Sequence, residues 1–141
     1  MEAHPLATGQ HDAAHRSAEE ALELFRKIGD QLGVSASLTE LGRVALAQGQ
    51  WDAAQSYFED SLVRSRNVGE KIGVVECLQN LGELMILRKD FDAARSFFDE
   101  SLDIARGLAS ARHMTTATDA IERLNLGTTR PFRAEAVPAG R

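Results

Sequence analysis

WDAAQSYFEDSL at residues 51–62 returns forty residues later as FDAARSFFDESL at 91–102. A weaker copy, HDAAHRSAEEAL, stands the same distance upstream at 11–22. The intervening stretches align too, VSASLTELGRVALAQGQ at 34–50 with VVECLQNLGELMILRKD at 74–90, and Gly29, Asp30 and Gly33 with Gly69, Glu70 and Gly73. No low-complexity sequence generates these matches, so the chain is internally repeated. A repeat of this length is one supersecondary unit that buries its apolar face against its neighbours.

Each unit carries two helical patterns. Leu38, Leu41 and Ala45, then Leu78, Leu81 and Met85, recur at steps of three and four, which puts them on one helix face. Trp51, Ala54, Phe58 and Leu62 do the same in the second pattern, as do Phe91, Ala94, Phe98 and Leu102. Strict alternation over a strand length is absent. The expected architecture is all-α, a right-handed solenoid of antiparallel helix pairs with about six helices, at 11–28, 31–48, 51–68, 71–88, 91–108 and 112–125. The expected division is a flexible N-terminus at 1–10, a helical repeat domain at 11–126 and a disordered tail at 127–141, where GTTRPFRAEAVPAGR is rich in glycine, proline and small residues.

Gly29 and Gly69 suit the position just past a helix, where a left-handed backbone is open to glycine, and the acids that follow suit the positive end of the next helix. Gly49 marks the turn inside one unit; Lys89 replaces it in the next, predicting a similar but less relaxed turn. Gly33 and Gly73 fall early in helices, where glycine costs about 1 kcal/mol against alanine, so a neighbouring helix is expected to need the space. Ala54 and Ala94 mark close approach of paired helices, with Phe58 and Phe98 filling the volume one turn along. Trp51 aligns with Phe91 and Tyr57 with Phe97, so aromatic bulk repeats while indole and phenol chemistry do not.

The 141 residues suffice for one continuous core. With 16 Lys and Arg against 21 Asp and Glu, the formal charge is -5, which argues against a nucleic acid partner. No apolar stretch reaches bilayer length and the first residues lack a secretory pattern, so a cytoplasmic location and no membrane partner are expected. Cys77 is the sole cysteine, which excludes an intrachain disulfide and a thiolate metal cluster.

The pattern resembles the tetratricopeptide repeat, carried by Leu41, Gly42, Trp51, Ala54 and Phe58, by Leu81, Gly82, Phe91, Ala94 and Phe98, and by Ala14 and Ala18 in a partial first unit. The forty-residue spacing is similar to the longer-helix variety in large bacterial transcriptional activators and signalling scaffolds. Ser61 and Ser101 stand where that family commonly has alanine, an exchange a helix interface accepts if the hydroxyl bonds back to its own helix. In the last helix Glu122 replaces Gly42 and Gly82, as suits a terminal unit with no next neighbour to cover.

The resemblance implies a non-catalytic protein or peptide interaction module, as part of a regulatory or signalling protein, with no cofactor. Its inner groove would be lined by the first helix of each pair: Ala36, Thr39 and Arg43, then Glu76, Gln79, Asn80 and Glu83, then Thr116, Asp119 and Arg123. Their mixed signs disfavour a strongly acidic or basic peptide. Asn80 alone matches the residues with which some family members clamp a terminal carboxylate, too little to assign that activity. A self-associating domain, with another copy completing the first helix pair, is the alternative, which allows a homo-oligomer. A metal-dependent hydrolase built on His11 and His15 ranks last: the two share a helix face, but two nitrogens make an incomplete site and no glutamate completes H-E-x-x-H. Cys77, beside Leu78 and Leu81, reads as a buried thiol, and Glu59–Asp60 with Asp99–Glu100 as a solvated helix face.

Overall fold

The structure is a computed structural model that describes residues 5–127. Six helices follow one another: α1 (Pro5–Ile28), α2 (Gln31–Ala47), α3 (Trp51–Val68), α4 (Lys71–Leu87), α5 (Phe91–Gly107) and α6 (Ala111–Asn125). Each helix packs on the next, so the chain rises as a solenoid of antiparallel pairs. In addition α2 meets α4 and α4 meets α6, whereas among the described residues α1, α3 and α5 do not approach one another. The even-numbered helices therefore form a continuous inner layer and the odd-numbered ones splay outside it.

α1 begins at Pro5, six residues before the expected start at 11. Proline is tolerated in a first turn, where its missing N–H would have had no intrahelical partner, so Pro5 opens the helix instead of excluding it. Gly127 is the first residue of the expected tail, and the rest of that tail lies outside the described residues.

One turn geometry serves all five connections. Gly29, Gly49 and Gly69 sit at φ 74, 76 and 75°, and Lys89 and Ala109 adopt the same left-handed backbone at 65 and 53°. In each turn the next N–H reaches back to a carbonyl of the helix just ended, as Asp30 N–H does to Phe25 O at 3.0 Å and Asp90 N–H to Met85 O at 2.8 Å. In three of the five turns the following acid then caps the new helix: Asp30 accepts from Gly33 N–H at 3.0 Å and Glu70 from Gly73 N–H at 3.2 Å. Asp90 does the same for α5, accepting from Ala93 N–H at 3.2 Å.

The wedges lie where the repeat puts them. Phe58 and Phe98 are fully buried, and their rings press against Gly42 and Gly82 of the paired helix. A Cβ at either glycine would fall 2.5 Å from a ring carbon. At Gly33 a Cβ would meet the Phe25 ring and at Gly73 the Ser65 hydroxyl at 2.9 Å, so these glycines are the close-packing points expected of them.

Two expectations need correction. Ser101 does bond within its own helix, donating to Phe98 O at 2.9 Å. Ser61 instead donates across the pair to Ser35 O at 2.8 Å, and its hydroxyl meets that of Thr39 at 2.7 Å. Ser35, Thr39, Ser61, Ser65 and Cys77 form a buried hydroxyl and thiol core among α2, α3 and α4. Trp51 and Phe91 likewise differ. Phe91 packs against the main core, while Trp51 is exposed and its ring lies under the Arg88 guanidinium at 5.9 Å, so indole chemistry is used at one position only.

Candidate functional site: the inner face of α2, α4 and α6

Because the even-numbered helices also meet one another, and among the described residues the odd-numbered ones do not, the residues that α2, α4 and α6 turn to that side share one surface. A depression of about 270 Å³ opens there, lined by Arg43 of α2, by Glu76, Gln79, Asn80 and Glu83 of α4, and by Arg112, His113 and Thr116 of α6. α4 forms its floor, as the central helix of the layer.

Glu76 is the electrostatic centre. One carboxylate oxygen lies 3.2 Å from both Arg112 Nη2 and His113 Nε2, and the other lies 3.9 Å from Arg43 Nη2. Arg43 also donates to Glu40 at 3.2 Å, and Arg123 donates to Glu83 at 2.9 Å. These groups are partly exposed, where an ion pair is worth about 0–1 kcal/mol. They hold a charge pattern in place without committing much free energy to any one pairing.

His113 is the exception, with its ring buried. Its Nδ1 lies 2.7 Å from the Ser110 hydroxyl, and Arg112 approaches its Nε2 at 3.2 Å. Gln79 beneath it is also buried and donates to the His113 carbonyl at 2.9 Å, tying α4 to α6. Asn80 is different again. Its Nδ2 is buried and, among the described residues, has no hydrogen-bond partner. A buried donor without an acceptor forfeits roughly 1–3 kcal/mol of hydration, which an incoming acceptor would restore.

Six of the ten residues expected in the groove line the depression: Arg43, Glu76, Gln79, Asn80, Glu83 and Thr116. Arg123 stands beside it through Glu83, while Ala36 and Asp119 are exposed outside it. Thr39 is a correction. It is buried, with its hydroxyl held by Ser61 Oγ and Ser35 O, because the serines of α3 draw that face of α2 into the interior. Arg112 and His113 were missed by the repeat alignment, which pairs them with Ile72 and Gly73. The available signal was that departure itself, polar side chains where the preceding unit has none.

Hydrolase chemistry on α1 finds no site. His15 pairs with Glu19 at 3.2 Å, and among the described residues no three His, Cys, Asp or Glu side chains converge to hold a metal ion. No helix of the described residues is long and apolar enough to cross a membrane. Cys77 is buried beside Ser61 and Thr39.

The tetratricopeptide repeat model matches this chain twice, over residues 3–67 and 33–107. The matches stop at the end of α5, before the helix in which Glu122 replaces the interface glycine. No curated protein matches the chain.

Proposed function

The chain belongs to the tetratricopeptide repeat family, a non-catalytic protein-interaction fold, and on that premise we propose that the α2–α4–α6 depression takes an extended segment of a partner protein. The observation that carries this reading is the Asn80 amide nitrogen, buried in the lining of the depression with no acceptor among the described residues. A main-chain carbonyl of an extended segment supplies that acceptor whatever its side chains. Arg43 of α2 and Arg112 of α6, flanking Glu76 and Glu83 of the central α4, then select the neighbouring residues by charge. The balance of signs favours a segment that itself carries both charges. Since the pairs around Glu76 are individually weak, a partner can exchange with them at little cost, which suits the reversible binding of a regulatory or signalling protein.

The test is selection of binders from a displayed library of unstructured peptides, followed by titration against Arg43→Glu and Glu83→Arg. Selected peptides are expected to lose about tenfold in affinity, equivalent to about 1.4 kcal/mol. Thermal unfolding should change little, since the Arg43 and Glu83 side chains are 46% and 43% exposed and their ion pairs are weak. Binders that ignore both substitutions would place recognition elsewhere.

A further inference from the structure

The splaying of α3 and α5 leaves a second concavity that shares no lining residue with the α2–α4–α6 depression. It has a volume of about 520 Å³ and lies between the α3–α4 turn and the end of α5. Val74, Ile104 and Leu108 give it an apolar lining, and Arg66, Lys71 and Asp103 carry charge at its edge. Arg66 is engaged by Glu100 at 2.9 Å, whereas Lys71 forms no ion pair among the described residues. The repeat shows why the cleft opens here. The residues aligned with Ile104 and Gly107 in the preceding unit are Arg64 and Asn67, and Arg64 spans its gap to donate to Gln31 at 3.0 Å. Ile104 and Gly107 cannot make that bridge, and a Cβ built on Gly107 meets nothing within 4 Å.

The same chain displays a shape of the opposite kind. Leu24 and Ile28 lie one turn apart on the outer face of α1 and are 61% and 73% exposed, with Leu32 beside them at 50%. Glu20 and Glu23 precede this ridge and Lys27 sits within it, and none of the three is ion-paired among the described residues. Acids before two apolar knobs suit an apolar cleft edged by Lys71, where Arg66 is held by Glu100 and Asp103 lies 3.8 Å from Arg106.

We propose that the protein associates head to tail with a second copy, the Leu24–Ile28 ridge of one molecule seating in the Val74–Ile104–Leu108 cleft of the next. Ridge and cleft are different surfaces of one molecule, so the contact is heterologous and each copy keeps one free ridge and one free cleft. Association therefore continues past the dimer as concentration rises. The inference stands apart from the peptide-binding reading, since neither surface includes a residue of the α2–α4–α6 depression.

Sedimentation velocity over about 10 µM to 1 mM tests it, the range in which a contact of this size acts. Wild type is expected to shift to larger species with concentration. Ile28→Asp removes the ridge at an exposed site, and Gly107→Phe puts a ring into the cleft from a position where a Cβ meets nothing within 4 Å. Each alone should weaken association by about tenfold or more. Mixed together they should give a dimer that grows no further, because one variant supplies only the cleft and the other only the ridge. Circular dichroism confirms that each variant is folded, and Leu24→Asp replaces Ile28→Asp if that variant is not. A wild type that stays monomeric throughout overturns the proposal. So does a Gly107→Phe variant that associates like wild type, which would mean that ridges pair with ridges.

Discussion

Substituting Gly82 by alanine tests the packing logic of the whole repeat in one methyl group. Carbon atoms in contact sit about 3.5–4.0 Å apart. The new Cβ would lie 2.5, 2.7 and 2.9 Å from three atoms of the Phe98 ring, so the ring must retreat by about an ångström. Phe98 has no exposed surface into which to retreat. Overpacking of this kind costs about 1–3 kcal/mol, and three simultaneous clashes place it in the upper half of that range. Alanine's helix preference returns about 1 kcal/mol, which leaves a net loss of about 1–2 kcal/mol. For a domain of this size that corresponds to a fall in Tm of about 4–8 °C. Thermal and urea unfolding followed by far-ultraviolet circular dichroism read it directly. Phe98→Leu should recover much of the loss in the Gly82→Ala background while destabilising the wild type, a coupling of about 1 kcal/mol or more. Gly107→Ala, in open space, is the control and should not destabilise. If Gly82→Ala is as stable as wild type, and Phe98→Leu costs the same in both backgrounds, the wedge account is wrong.

Two further substitutions probe features outside the wedges. Ser61→Ala should cost about 1–2 kcal/mol, because Ser35 and Thr39 lose a buried partner, while Ser101→Ala, which mainly loses a bond within its own helix, should cost under about 0.5 kcal/mol; denaturant midpoints of the pair compare them. Lys89→Gly should stabilise by about 0.5–1 kcal/mol, the relief of a left-handed non-glycine backbone less glycine's greater unfolded freedom, seen as a rise in Tm.

The fold was legible because the repeat allowed each position to be read twice. Gly42 and Gly82 beside Phe58 and Phe98 carry the same packing event, and a coincidence of four residues at one spacing cannot come from surface drift. The same property limited the reading of the groove. Thr39 and Gln79 occupy equivalent positions, one sealed against Ser61 and Ser35, the other buried yet lining the depression, where it reaches across to the His113 carbonyl of α6. Periodicity within α2 or α4 holds no record of what the facing helix offers. Arg112 and His113 were invisible for the complementary reason: averaging over units hides residues that occur in one unit alone. The start of α1 escaped because the repeat match begins only at His11, whereas the helix opens at Pro5.

The hydroxyl and thiol core among α2, α3 and α4 bears on how the solenoid yields. A hydrocarbon seam such as that between Phe98 and Gly82 resists wetting, because water entering it finds nothing to bond. Water entering beside Ser35, Thr39, Ser61 and Ser65 can take over each bond as it breaks. Under heat or pulling force the solenoid is therefore expected to take up water first along this polar seam between α2 and α3.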